Sequence, residues 1–376
     1  MSLLQKLDPS WQVNDMFIEI NETELRMRDL LTYELMWHGD HVEGIISFQD
    51  IQNFQDSIKI DVGGLVKVGF TSQEKTSDPA YWEQTFVITK VNYADGGKMI
   101  NTKVCELYLK DMVSQQLTLS HFAKSFIAKP IEEIFTGIFD GLGINPPTMA
   151  MNPDREPMTI LTPAHKSMFE TLKHSWNEEG LSFIQDRHAS YLVHDIHRTN
   201  DKALHTGEFF EYKPKNYWSR SQVIEYKIKG FDMESLEKSI PSVGNSINNS
   251  TARSDEVSVK TTKNIPQGGT LGGGSVNVLD MYVGKGQKQN AGLYTSKTSE
   301  TLTKDIKDIQ QMSIWVPGWN GNRLGMKVRV EMPRPTHIVQ DEHSEAYTGD
   351  WVVNKVRDKI ISSYFVQELF LSRAGA

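Results

Sequence analysis

The chain has a single cysteine, Cys105, in 376 residues. No intramolecular disulfide can form, which excludes the stapled scaffolds of extracellular proteins. A tetrathiolate zinc site is excluded with it. No apolar run approaches the roughly 18 residues that a membrane helix needs. Met1 to Asp15 lacks a basic region followed by an apolar stretch, so neither a secretory leader nor a membrane anchor is read there. There is no basic excess: 40 Lys and Arg face 48 Asp and Glu, for a net charge of −8. That disfavours a surface built to hold nucleic acid. It suits a wall that nucleic acid passes without sticking, because like charges repel. The chain reads as folded in a reducing cytoplasm.

Catalytic signatures are missing too. There is no G-x-S-x-G elbow. Gly284-Lys285-Gly286 and the run Gly268 to Gly274 lack the spacing of a phosphate-binding loop. His188, His194 and His197 are close in sequence, but their spacing fits neither a helical HExxH nor a zinc finger. Glu132-Glu133 and Glu178-Glu179 read as solvated helix faces rather than an acid/base couple. Cys105 alternates with Leu107 and Leu109 and reads as a buried small side chain. Asn248 to Thr251 holds two glycosylation sequons, which without a secretion signal mark only a polar loop. Trp315, Trp319 and Trp351 could form a sugar platform, but they fall beside a β motif, where core or subunit packing is expected. The expectation is a protein that is not an enzyme, with no catalytic, cofactor or metal residues. No individual interface residue is singled out.

What the chain does have is a motif carried twice. Leu65 to Val68, Phe86 to Val91 and Val104 to Leu109 form the first copy; Gly325 to Val328, Trp351 to Val356 and Val366 to Leu371 form the second. The blocks lie 260, 265 and 262 residues apart. The length suggests several domains. Residues 1–112 read as a first β-barrel domain. Residues 113–205 read as an α+β domain. In it Ser120 caps a helix through Phe122, Phe126 and Ile127. Pro130 starts a second helix, Thr162-Pro163 opens a third, and Leu181 to Asp195 forms a hairpin. Residues 206–240 and 312–376 read as a second β-barrel domain, with Val223 to Lys229 matching Val42 to Phe48 of the first. Residues 241–311 read as a Ser/Gly-rich insertion, with a strand at Val276 to Val283 and a helix at Lys297 to Gln311. The fold class is α+β, mainly β.

Three stretches resemble a known family. Leu25-Arg26-Met27-Arg28-Asp29, followed by Glu43 to Asp50, is similar to the opening of the baseplate central hub of contractile-tailed bacteriophages. Phe169 to Asp186 resembles the helix–Gly–strand segment shared with the type VI secretion spike hub, and Trp351-Val352-Val353 with Phe365 to Leu371 its closing strands. The resemblance implies a homotrimer whose two barrel-like domains per chain make six similar units. That ring would adapt a six-fold tail tube to a three-fold spike and line the DNA exit channel. It implies partners in a separate spike protein and the tube protein, with tape measure and baseplate wedge proteins beyond them. It places the chain in the virion's tail baseplate, assembled in the bacterial host cytoplasm. Two other readings stand beside it: the hub of a phage-derived injection or secretion apparatus, and a carbohydrate-binding or cell-wall-degrading tail protein.

Overall fold

The computed structural model describes residues 16–70, 82–95, 103–121, 123–150, 157–162, 165–178, 181–187, 189–194, 205–212, 221–229, 261–264, 275–278, 310–319, 321–332, 347–361 and 363–373. The first part is β1 (Met16–Ile20), β2 (Thr23–Glu24), β3 (Leu30–Trp37), β4 (Val42–Gln49), the single turn α1 (Phe54–Ser57), β5 (Leu65–Phe70), β6 (Trp82–Asp95) and β7 (Lys103–Asp111). Period-two patterning makes these strands: in β7, Cys105, Leu107 and Leu109 point inward while their neighbours face out. The six main strands pair antiparallel in the order β1-β5-β6-β7-β4-β3. In a flat sheet β3 and β5 would lie roughly 19 Å apart. Yet the rings of Tyr33 on β3 and Phe70 on β5 meet at 6.0 Å, so the sheet curls over its own core. The expected barrel is corrected in one respect. Among the described residues β1 and β3 do not pair, so the curl is unclosed.

The middle of the chain holds α2 (Met112–Leu119), β8 (Lys124–Lys129), α3 (Ile131–Gly141), β9 (Thr148–Ala150), β10 (Met158–Thr162), α4 (Met168–Glu178), β11 (Leu181–Gln185) and β12 (Ser190–His194). Two helix starts differ from the sequence reading. Asp111 caps α2, accepting from Ser114 N–H at 2.7 Å, and Ser120 closes that helix instead of opening one. Phe126 and Ile127 belong to strand β8, which buries the first and leaves the second exposed, and Phe122 lies outside the described residues. Ser167 opens α4, its hydroxyl accepting from Glu170 N–H at 3.2 Å, while Thr162 ends β10. Apolar residues at helical spacing form the buried stripes of α3 and α4. Ile131, Ile134, Phe135, Ile138 and Phe139 of α3 pack with Met168, Leu172 and Trp176 of α4 in a second core. β11 and β12 form the expected antiparallel hairpin.

The last part is β13 (His205–Tyr212), β14 (Gln222–Val223), β15 (Glu225–Lys229), β16 (Thr261–Asn264), β17 (Ser275–Val278), β18 (Gln310–Pro317), β19 (Met326–Glu331), β20 (Gly349–Ile361) and β21 (Tyr364–Arg373). Its main strands run β13-β19-β20-β21-β18-β15, the order of the first part over again. One pairing differs in sense: β13 lies parallel to β19, whereas β1 lies antiparallel to β5. The strand matching Val42 to Phe48 is β18. Sequence order puts Val223 to Lys229 there instead, because the insertion hides β18 far downstream. Within 241–311, β16 and β17 pair, and Gln310 and Gln311 open β18; the rest of the expected helix lies outside the described residues. Among the described residues no helix is long and apolar enough to cross a membrane.

Candidate functional site

The two copies meet at a seam within the chain. β3 pairs antiparallel with the second half of β20, Tyr33 opposite Ile360, Leu35 opposite Asp358 and Trp37 opposite Val356. This joins both sheets and gives them one continuous core. On the outer face Glu34 sits 3.3 Å from both Arg357 and Lys359, and Arg357 reaches Glu368 at 2.7 Å. On the inner face the rings of Phe70 and Phe365 stack at 4.7 Å, one from each copy.

Beneath the seam is a buried charge. Asp358 accepts from Trp37 Nε1 at 2.9 Å, from Gln367 Nε2 at 2.7 Å and from Arg187 through both carboxylate oxygens at 2.5 and 2.6 Å. The Arg187 guanidinium lies 4.9 Å from the ring of Trp37 and 5.2 Å from that of Trp82. Asp358 and Arg187 thereby tie both copies to the α+β segment. Such a charge is tolerable in a core beside a counter-charge, here supplied by Asp358 to Nη2, while Arg187 Nη1 has no hydrogen-bond partner among the described residues.

The pairing registers show which residues of the two copies correspond. Both copies carry a bulge in the same place, after Ile88 in the β6–β7 ladder and after Val353 in the β20–β21 ladder. Past the bulge, Val91, Asn92, Tyr93 and Ala94 face Leu107, Glu106, Cys105 and Val104; Val356, Arg357, Asp358 and Lys359 face Leu369, Glu368, Gln367 and Val366. The offsets of 265 and 262 residues read from the sequence are thus the structural ones. The first block is corrected from 260 to 262: Val66 pairs with Phe86 as Val328 pairs with Trp351. The same logic through β4 and β18 puts Tyr226, Lys227 and Ile228 of β15 at the places of Tyr33, Glu34 and Leu35 of β3.

This correspondence exposes an imbalance. β3 and β20 cover each other, but among the described residues nothing covers the outer edge of β15 or that of β6 beyond Ile88. The side chains follow. Tyr33, Leu35, Val356 and Asp358 are fully buried; their counterparts Tyr226, Ile228, Val91 and Tyr93 are half-buried against the same core.

At the β3–β4 turn Gly39 takes φ +105°, and the turn is held by Gln185 N–H donating to Gly39 O at 2.7 Å. His38, His41 and Glu43 converge there, their ligand atoms within 4.8 Å of one another. His41 Nδ1 lies 2.6 Å from Asp40, which also takes Lys173 Nζ at 2.6 Å. Burial alone would raise the Asp40 carboxyl, but the bonds from His41 and Lys173 outweigh it and hold it well below the usual range. Burial, with His41 and Lys355 nearby, lowers His38. Two imidazoles and a carboxylate could chelate a divalent cation, with Asp40 behind His41 as orienting partner. Sequence reasoning passed over this group, although His38-x-x-His41-x-Glu43 is legible as it stands.

His194 ends β12, and His188 and His197 lie outside the described residues, as do Glu179, Asn248 to Thr251, the run Gly268 to Gly274 and Gly284 to Gly286. Glu133 is exposed and pairs with Lys129 at 2.8 Å on α3, a solvated face. Trp351 is buried and donates to Tyr347 O at 3.1 Å, and Trp315 packs beside Ile224 and Val366, so these two share no open platform. Cys105 is fully buried, and burial pushes its thiol up to about 12. At pH 8 it should resist alkylation in the folded chain and react fully in denaturant. Stoichiometric labelling of the folded protein would refute that placement.

No protein-family model matches the chain, and no curated protein matches it in sequence. Solved structures do match its fold. A tail protein from Neisseria meningitidis superposes with a TM-score of 0.58 at 12% identity, over 96% of each chain. The 43 kDa tail protein of prophage MuSo2 from Shewanella oneidensis gives 0.57 at 10% identity, over 96% of this chain and 97% of that one. An Escherichia coli component of the type VI secretion system, itself similar to the bacteriophage T4 tail proteins gp27 and gp5, gives 0.53 at 8% identity, over 96% of this chain and 77% of that one. At these identities the likeness is one of fold, and it runs nearly the full length of the chain.

Proposed function

We propose that the chain is a non-enzymatic hub of a contractile phage tail, a homotrimer that adapts the six-fold tail tube to a three-fold spike and lines the path of the exiting DNA. The observation that carries this reading is the duplication: two six-stranded sheets of one strand order, joined edge to edge in a single chain. Three chains of two such modules supply six similar positions around a three-fold axis. The likeness to two tail proteins over nearly their whole length supports the same role. The acidic balance of the chain suits a wall that DNA passes. Tube and spike proteins are the expected partners. A second reading, the hub of a phage-derived secretion apparatus, is favoured by the likeness to the Escherichia coli secretion component.

Light scattering on the purified chain tests the proposal. The expected species is a trimer of 42.8 kDa chains, its population rising with concentration. A strict monomer at every concentration, with purified spike protein present as well as absent, would sink the ring.

A further inference from the structure

We propose that neighbouring copies of this chain join by strand pairing, the open edge of β15 in one copy adding antiparallel to the open edge of β6 in the next. Tyr226 lies opposite Asp95, Lys227 opposite Ala94, Ile228 opposite Tyr93 and Lys229 opposite Asn92. This rests on the hub reading and specifies how its ring is made.

The register is fixed by the seam inside the chain. Tyr226, Lys227 and Ile228 hold the places of Tyr33, Glu34 and Leu35, and Tyr93 and Ala94 those of Asp358 and Lys359. Carrying the observed β3–β20 pairing across therefore yields one register, and any slip by one residue would turn Tyr226 and Ile228 away from the core.

Burial points to the same partner. The four residues that the internal seam seals are fully buried, and their four counterparts on the open edges are left half-covered. A second copy supplies the strand that neither edge has among the described residues, and strand edges are templates for such addition.

Charge decides that the two edges suit each other. In the internal seam the first-copy strand brings an anion, Glu34, to the cations Arg357 and Lys359. On the open edges the β15 sign is reversed, and the β6 places of Arg357 and Lys359 are held by the neutral Asn92 and Ala94. β15 brings the exposed cation Lys227, and β6 offers Asn92, whose Nδ2 donates to Glu106 at 3.1 Å, so that a carboxylate stands beside the edge. Lys227 would thus meet Glu106. Were β15 to pair with a copy of the β20 edge instead, Lys227 would face Arg357 and Lys359, so each edge rejects the wrong partner. The contact is head-to-tail, with a different surface on each side, and such contacts form a ring when the rotation between copies closes.

The full-length variant A94C/K227C tests the register by oxidation and non-reducing electrophoresis. Opposed residues on paired strands come within disulfide reach, and Cys105 is too buried to interfere. The expected result is a covalent ladder ending at three chains. Either single variant alone should stay monomeric on the gel, a mixture of the two should give dimers only, and N92C/K227C, two residues out of register, should lose most of the product. A trimer by light scattering that yields no A94C/K227C product overturns the strand pairing and leaves the hub standing; a monomer with no product, with spike protein present as well as absent, overturns both. If the cysteine variants fail to fold, K227E reads the same contact. Its trimer should dissociate at severalfold higher concentration, recovering in E106K/K227E, and an unchanged dissociation constant overturns the proposal.

Discussion

Asp358→Ala should lower the free energy of unfolding by about 3–5 kcal/mol, because it strands the buried guanidinium of Arg187. Arg187 lies between two indole rings, with the Asp358 carboxylate as its partner at 2.5 Å. Removing the carboxylate also leaves Trp37 Nε1 and Gln367 Nε2 without their acceptor in the core. Removing both charges is a different matter. R187M/D358L replaces the pair with apolar groups of similar bulk and should recover only the part of the loss due to the stranded guanidinium, because Trp37 Nε1 and Gln367 Nε2 still lack their acceptor. Urea titration followed by tryptophan fluorescence reads the effect, because Trp37 and Trp82 flank the guanidinium. A D358A midpoint equivalent to less than about 1 kcal/mol, at unchanged slope, would mean the carboxylate is not the tie between the three parts.

The second large effect is at the aromatic joint. Phe365→Ala should cost about 3–5 kcal/mol, as expected when a large buried ring leaves a cavity. The ring stacks on Phe70 of the other copy and also fills the space above Gly318, where an added Cβ would lie 2.2 Å from Phe365 Cδ1. Gly318→Ala should therefore destabilise by about 1–3 kcal/mol through overpacking. Combined, the two should cost clearly less than their sum, because the alanine methyl enters the void the ring leaves. Strict additivity in a double-mutant cycle would show that ring and glycine are not in contact as described.

Much of this architecture could be read from residues alone. The alternation in β7 and β21 and the near-constant offsets marked a duplicated β unit, and the stripes of α3 and α4 marked their buried faces. What failed did so for physical reasons. Ser120 and Thr162 have the chemistry of helix caps, but Asp111 and Ser167 took the role because their oxygens reach the free N–H groups. The insertion separated β15 from β18, so sequence order no longer told which strand was which. The equivalence of Tyr33-Glu34-Leu35 to Tyr226-Lys227-Ile228 was in plain view, yet three residues are too few to align without the ladder. Arg187 and Asp358 are 171 residues apart, and no local pattern announces their contact.

The join between β3 and β20 settles a question of counting. Each chain delivers its modules two at a time, already fastened, so a closed circle of these chains holds an even number of them whatever its size. The proposed ring would then match a tube with an even-fold end without selecting against circles that are one module short or one over. The covalent link does the arithmetic before any two molecules meet.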